Sequence, residues 1–180
     1  MSIPVFLSCP KPYLQRQVDF LNAVEAHLGE CDLRPMTLGR SEYSMDAPLI
    51  AIRRLMGSSF GLLTLAFRRT LIDSGFDRPS SDVGEKQISR ADTWLTSPYC
   101  QIEPAMAYQI GLPVLVWREA GVTEEGLLDR GALDLAMPSF DLDAPPRLSE
   151  REWKQPLSEW VRRVQSTYAR NGEPVRRWQP

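Results

Sequence analysis

The run Ser97-Pro98-Tyr99-Cys100-Gln101-Ile102-Glu103-Pro104 puts a carboxylate against a proline just where an apolar helix is about to begin. Pro104 has no N–H, and its ring clashes with a helical carbonyl four residues back, so the sequence predicts a kink or a fresh helix start there. A residue before proline also favours extended geometry. Glu103 is therefore expected at a helix start or bend, where free backbone N–H groups favour its ionised form. A carboxylate so placed suits cleavage of an N-glycosidic bond. It can face, or attack, the sugar carbon as positive charge builds in an oxocarbenium-like transition state. When the leaving group is already cationic, as nicotinamide is in NAD, no general acid is required and one carboxylate suffices. The competing role for Glu103 is a capping acid or an ion-pair partner of Arg53, Arg54 or Arg90.

Other residue types narrow the chemistry. Tyr43, Trp94 and Tyr99 near loop ends could stack on a base or a nicotinamide ring, or simply cover the core. Arg68 and Arg69 could meet a pyrophosphate. A purine or pyrimidine is a poorer leaving group and needs a second acid, for which Asp46, Asp73 and Asp92 lie in suitable loops without any one being singled out. After the first apolar run the chain reads Cys9-Pro10-Lys11-Pro12, where a dinucleotide fingerprint or a P-loop would need glycines. No GxSxG or HExxH pattern occurs. The single histidine, His27, falls in an amphipathic helix pattern, and Cys9, Cys31 and Cys100 are far apart with no CxxC pair, so neither a zinc site nor another metal centre is expected.

The elements that must hold these residues follow from periodicity. Residues 3–8, IPVFLS, read as a buried strand closed by CPKP. Residues 13–28 carry Leu14, Val18, Leu21, Val24 and Leu28 at helical spacing, with Gly29 as a stop. CDLRP at 31–35 suits a short second strand, and the polar loop 36–48 follows it. Residues 48–57 read as a helix with Pro48 at its first position. FGLLTLAF at 60–67 is a continuous apolar run expected as a central parallel strand. Residues 68–96 contain Gly75, Pro79, Ser80, Ser81 and Gly84 with little periodicity, and are expected to be a long insertion loop. A helix to about Ile110 is followed by the strand VLVW at 114–117. TEEGLLDRG at 123–131 reads as a short helix capped by Thr123. Ser149 and Glu152 suggest a capping box for a last helix with an apolar stripe from Trp153 to Tyr168.

Strand and helix alternate, so the expected fold is α/β: a parallel sheet flanked by helices, in one domain over 1–170 with a loose tail at 171–180. Ligands of such sheets sit beyond the carboxyl ends of the strands. With 43% hydrophobic and 24% charged residues the composition is globular. A net charge of -2 and a pI near 5.5 give no electrostatic reason to bind nucleic acid. No apolar run reaches the roughly 18 residues of a membrane span. The opening MSIPVFLSCP lacks the basic start and long apolar stretch of a secretory leader, so a cytoplasmic protein with reduced thiols is expected.

Ser97, Tyr99, Cys100 and Glu103 resemble the Ser-x-Trp-Cys-x-x-Glu motif of TIR domains, with tyrosine in the tryptophan slot. VFLSC resembles their first strand, PLIAIRRLMGSSFGLLTLAF their second helix and third strand, and EPAMAYQIGLPVLV the segment after the glutamate. The likeness covers about 1–140. Nucleoside deoxyribosyltransferases share a glutamate followed by small residues and an ending like GLPV. The resemblance implies a flavodoxin-like sheet, with the last helix as an addition. It also implies cleavage of the nicotinamide–ribose bond of NAD, as substrate and with no resident cofactor, giving linear or cyclic products; many bacterial members act in phage defence. It gives Glu103 the catalytic role, makes Ser97, Tyr99 and Cys100 shape its helix, and sets Ser8 and the loop from Arg40 to Tyr43 beside the nucleotide. It further implies self-assembly through the loop 35–46 and the helix 48–57. The other functions open at this point are a nucleoside N-glycosidase or deoxyribosyltransferase, and a non-catalytic TIR-like interaction or nucleotide-sensing module.

Overall fold

The computed structural model describes residues 2–42, 44–133 and 138–171. Tyr43 and residues 172–180 of the expected tail lie outside them, while Asn171 still belongs to the last helix. Four strands form a parallel sheet: β1 (Ile3–Ser8), β2 (Leu33–Met36), β3 (Leu62–Ala66) and β6 (Val114–Arg118), in the order β2-β1-β3-β6. Between them run α1 (Gln15–Glu30), α2 (Pro48–Gly57) and α3 (Tyr99–Gln109), and α4 (Arg151–Asn171) follows β6. The order of the four parallel strands, second-first-third-fourth, is that of a flavodoxin-like sheet.

Both faces of the sheet are covered, which explains the unbroken apolar runs in β1, β3 and β6. Side chains alternate across a strand. Val5 and Leu7 of β1, Leu63 and Leu65 of β3, and Leu115 and Trp117 of β6 face a core shared with α1 and α4. Phe6, Leu62 and Val114 face the opposite way, against Ile52 and Met56 of α2 and Ala107 of α3. The first core is rich in rings: Phe20 stacks on Phe140 at 4.6 Å, and Trp117 meets Phe20, Phe140 and Trp153 at 5.2–5.4 Å. α4 is fastened by the Trp160 indole N–H donating to the Pro113 carbonyl at 3.1 Å, and by Gly61, where an added Cβ would lie 2.5 Å from Val164.

Three expectations are corrected. Residues 68–96 are not a loop: β4 (Thr70–Asp77) and β5 (Ile88–Leu95) pair antiparallel, from Thr70 opposite Leu95 to Asp77 opposite Ile88. The Pro79-Ser80-Ser81 cluster and Gly84 form its turn region, and both faces are largely exposed, Leu71, Phe76 and Ile88 included. Secondly, residues 123–131 hold only a 3₁₀ turn, Gly126–Leu128, and Thr123 caps nothing. Its N–H and Oγ1 instead donate to the Trp94 carbonyl at the base of the hairpin. Thirdly, α4 begins at Arg151, with the Glu150 carbonyl accepting from Trp153 and Lys154, so Glu150 and not Ser149 precedes its first turn.

Candidate functional site

At the carboxyl ends of the strands the chain leaves β1 towards β2 on one side and reaches β3 on the other, so β1 and β3 flank the point where the winding reverses. Loops diverge there and leave a crevice. A cleft of about 590 Å³ opens at this point, within the size range of small-molecule sites. It is lined by Cys9, Lys11 and Tyr13 after β1, by Arg69 after β3, by Pro48 and Ile52 of α2, and by Ser97, Tyr99 and Glu103.

Glu103 is not at a helix start. α3 runs continuously through Pro104, and Glu103 is its fifth residue, buried to 7% exposure. The helix start is instead made by Ser97: its Oγ accepts from the Tyr99 N–H at 3.3 Å, and its carbonyl accepts from the Cys100 N–H at 2.9 Å. The electrostatic expectation reverses with the position. Burial, with no cation beside it, pushes the Glu103 carboxyl up to about 7. The Ser8 hydroxyl at the end of β1, buried beside Glu103 and Cys100, favours the charged form and so opposes that rise.

Glu103 also makes none of the competing ion pairs. Arg54 holds Asp46, and Arg90 holds Asp77 at 2.5 Å with Glu125 at 3.8 Å. The environment of the two nearby thiols favours their protonated form. Burial, then the neighbouring charges, lift Cys9 to about 12, and burial does the same for Cys100, whose Sγ accepts from the Thr96 hydroxyl at 3.5 Å.

Of the candidate residues read from the sequence, Ser97, Tyr99 and Glu103 line the cleft, and Ser8 and Cys100 sit directly behind Glu103. Arg40 does not: its guanidinium is tied to Asn22 at 2.7 Å and Glu25 at 3.1 Å on α1. Trp94 lies in β5 under the Arg68 guanidinium, 5.8 Å from its ring, outside the cleft. Tyr43 falls outside the described residues. Arg68 and Arg69, adjacent in sequence, part ways. Arg68 bonds the Ala120 carbonyl at 2.6 Å and pairs with buried Glu119 at 3.8 Å, whereas Arg69 faces the cleft. Asp46, Asp73 and Asp92 are exposed and none lines the cleft. Arg69 is one of the two arginines that the sequence offers to a pyrophosphate, whereas Lys11 and Tyr13 carry no signal beyond position, each following the carboxyl end of a central strand.

Among the described residues no group of three or more His, Cys, Asp or Glu side chains could hold a metal ion, and no helix is long and apolar enough to cross a membrane. No family model matches the chain, and no curated protein matches it. Among solved structures, a diflavin flavoprotein A3 from Nostoc sp. aligns over 93% of this chain and 97% of its own, with 15% identity and a TM-score of 0.43.

Proposed function

We infer that the protein is a TIR-like NAD glycohydrolase or cyclase in which Glu103 is the catalytic carboxylate. The observation that carries this reading is a buried carboxyl opening on a cleft at the reversal point of the sheet, with no Asp among the described residues that line it. A single carboxylate is sufficient only where the leaving group needs no protonation, which is the case for nicotinamide. The C–N bond breaks with its electron pair going to the pyridinium nitrogen, so nicotinamide departs neutral. The oxocarbenium charge left on the ribose carbon is stabilised, or captured, by ionised Glu103. Water adding to that carbon and losing a proton gives ADP-ribose, and attack by a ring nitrogen of the adenine gives a cyclic product. Tyr99, at the rim, offers a face on which the nicotinamide ring can stack. The raised pKa is compatible with this, because a cationic substrate beside Glu103 draws the carboxyl back towards its ionised form.

A nucleoside N-glycosidase is the second reading, and the same raised pKa favours it: a carboxyl near 7 keeps a proton to give to a departing base. Purified protein at high concentration, since the resemblance implies self-assembly, is incubated separately with NAD, nicotinamide riboside, adenosine, inosine and uridine, and the products are separated by chromatography. Release of nicotinamide alone supports the first reading. Release of a purine or pyrimidine with NAD left intact replaces it with the second.

A further inference from the structure

We propose that Lys11 and Arg69 form a phosphate subsite in the Glu103 cleft, which makes the site select a nucleotide over an uncharged nucleoside. The inference rests on reading the Glu103 cleft as a nucleotide site and adds the recognition of the substrate's anionic part.

Among the described residues, the only charged ones besides Glu103 that line the cleft are these two cations. With Glu103 ionised the lining carries a net charge of +1, the sum of Lys11, Arg69 and Glu103, and with Glu103 protonated it carries +2. Both are exposed, and neither has a carboxylate within ion-pair distance among the described residues. In the neighbouring Arg68, by contrast, the guanidinium is committed to Glu119 and Ala120. Pro48, the first residue of the ten-residue α2, lines the same cleft, so the positive end of that helix adds to the potential there.

The two cations come from different strand ends, Lys11 after β1 and Arg69 after β3, which is how a sheet of this winding converges groups on one ligand. Arg69 is held in place by its backbone: its N–H donates to the Leu95 carbonyl at 2.9 Å, closing the base of the hairpin. Its guanidinium can meet a phosphate through two parallel bonds, whereas Lys11 acts as a compact point charge. Ser97 and Tyr99, immediately beyond the other strand of the hairpin, line the cleft with Glu103. The cleft thus carries a carboxyl that suits an electron-poor sugar carbon and two free cations that suit phosphate oxygens. That pairing fits a phosphorylated N-glycoside and gives an uncharged nucleoside no partner for the cations.

The test is binding, so it does not depend on turnover. Titration calorimetry at low ionic strength compares ADP-ribose, ADP, AMP and adenosine on wild-type protein, Lys11→Ala, Arg69→Ala and the double variant. The expected order is ADP-ribose and ADP tightest, then AMP, then adenosine, with ADP at least tenfold tighter than adenosine. Each single variant weakens ADP by roughly tenfold and the double variant by about 100-fold, while adenosine changes less than twofold. The advantage of ADP over AMP separates a diphosphate subsite from one that takes a single phosphate. Equal affinity for ADP and adenosine, an ADP preference that survives in the double variant, or no binding of any of the four at millimolar concentration would each overturn the proposal. A protein that binds ADP in this way yet releases no nicotinamide would retain the subsite and lose the glycohydrolase reading. One that cleaves NAD and nicotinamide riboside equally well, with no effect of Arg69→Ala, would do the reverse.

Discussion

Glu103→Gln should make the protein more stable at pH 8, although it removes the carboxyl that the account places at the centre of catalysis. The carboxyl moves from 4.5 to about 7 on folding, chiefly by burial. Below about 4.5 it is protonated in both the folded and the unfolded chain, and its burial carries no ionisation penalty. Between 4.5 and about 7 the unfolded chain releases the proton while the folded chain keeps it, so stability falls by about 1.4 kcal/mol per pH unit. Above about 7 both forms are ionised and the whole penalty stands, about 3 kcal/mol for a shift of this size. At 7% exposure solvent screening relieves little of it. Glutamine has nearly the same shape and no charge at any pH, so the penalty disappears. For a chain of this length the gain amounts to a rise in Tm of roughly 6–12 °C at pH 8, shrinking towards zero below pH 5. Thermal unfolding of both proteins by circular dichroism from pH 5 to pH 8 reads this directly. Parallel pH profiles, or a variant less stable at pH 8, would refute the burial argument.

Three further outcomes are expected. For NAD cleavage, kcat/KM should rise with unit slope as pH approaches about 7 and level off above it, because the ionised free enzyme is the active form; a rate that instead falls above pH 7 would mean that protonated Glu103 is the working form. Gly61→Ala forces a methyl to within 2.5 Å of Val164 and should cost about 1–3 kcal/mol in urea unfolding. Adding Val164→Ala should recover part of the loss, and full stability of the single variant would show that α4 does not pack as described. Under native conditions at pH 8 the half-exposed Cys9 and Cys31 should react with an aromatic disulfide reagent before Cys100, which is buried and lifted to about 12; a slowest phase that survives Cys100→Ser would contradict that environment.

The legible parts of the fold were those whose burial writes a pattern into the sequence. β1 and α2 have the expected boundaries, and β3 and β6 differ from theirs by a residue or two, because continuous apolar runs and helical stripes reflect faces that are in fact buried. The hairpin leaves no such pattern, for the converse reason. β4 and β5 bury little on either face, so Leu71, Phe76 and Ile88 stand exposed and no alternation marks the strands. The Pro and Gly residues that suggested a loop lie mostly in its turn.

The site divides in the same way. Glu103, Ser97 and Tyr99 were legible as a local cluster, and local order does bring them to the cleft. The protonation behaviour of Glu103 was not legible, because proline propensity places it at a helix boundary while in the fold the helix continues through Pro104 and the carboxyl is buried. Arg40, which the resemblance sets beside the nucleotide, and Trp94, which residue type and loop position suggest for stacking, are engaged elsewhere by Glu25 and Arg68. Lys11 and Arg69 lie 58 positions apart in the sequence and converge only through the pairing of β1 with β3.

The most direct test of the account is nicotinamide release from NAD by concentrated wild-type protein beside Glu103→Gln, with folding of the variant confirmed by the thermal transition. Steady release by the wild type and a loss of at least 100-fold in the folded variant is the predicted result. Release at equal rates by both proteins, or none by the wild type even at the highest protein concentration, would contradict the assignment of Glu103 as the carboxylate that cleaves the nicotinamide–ribose bond.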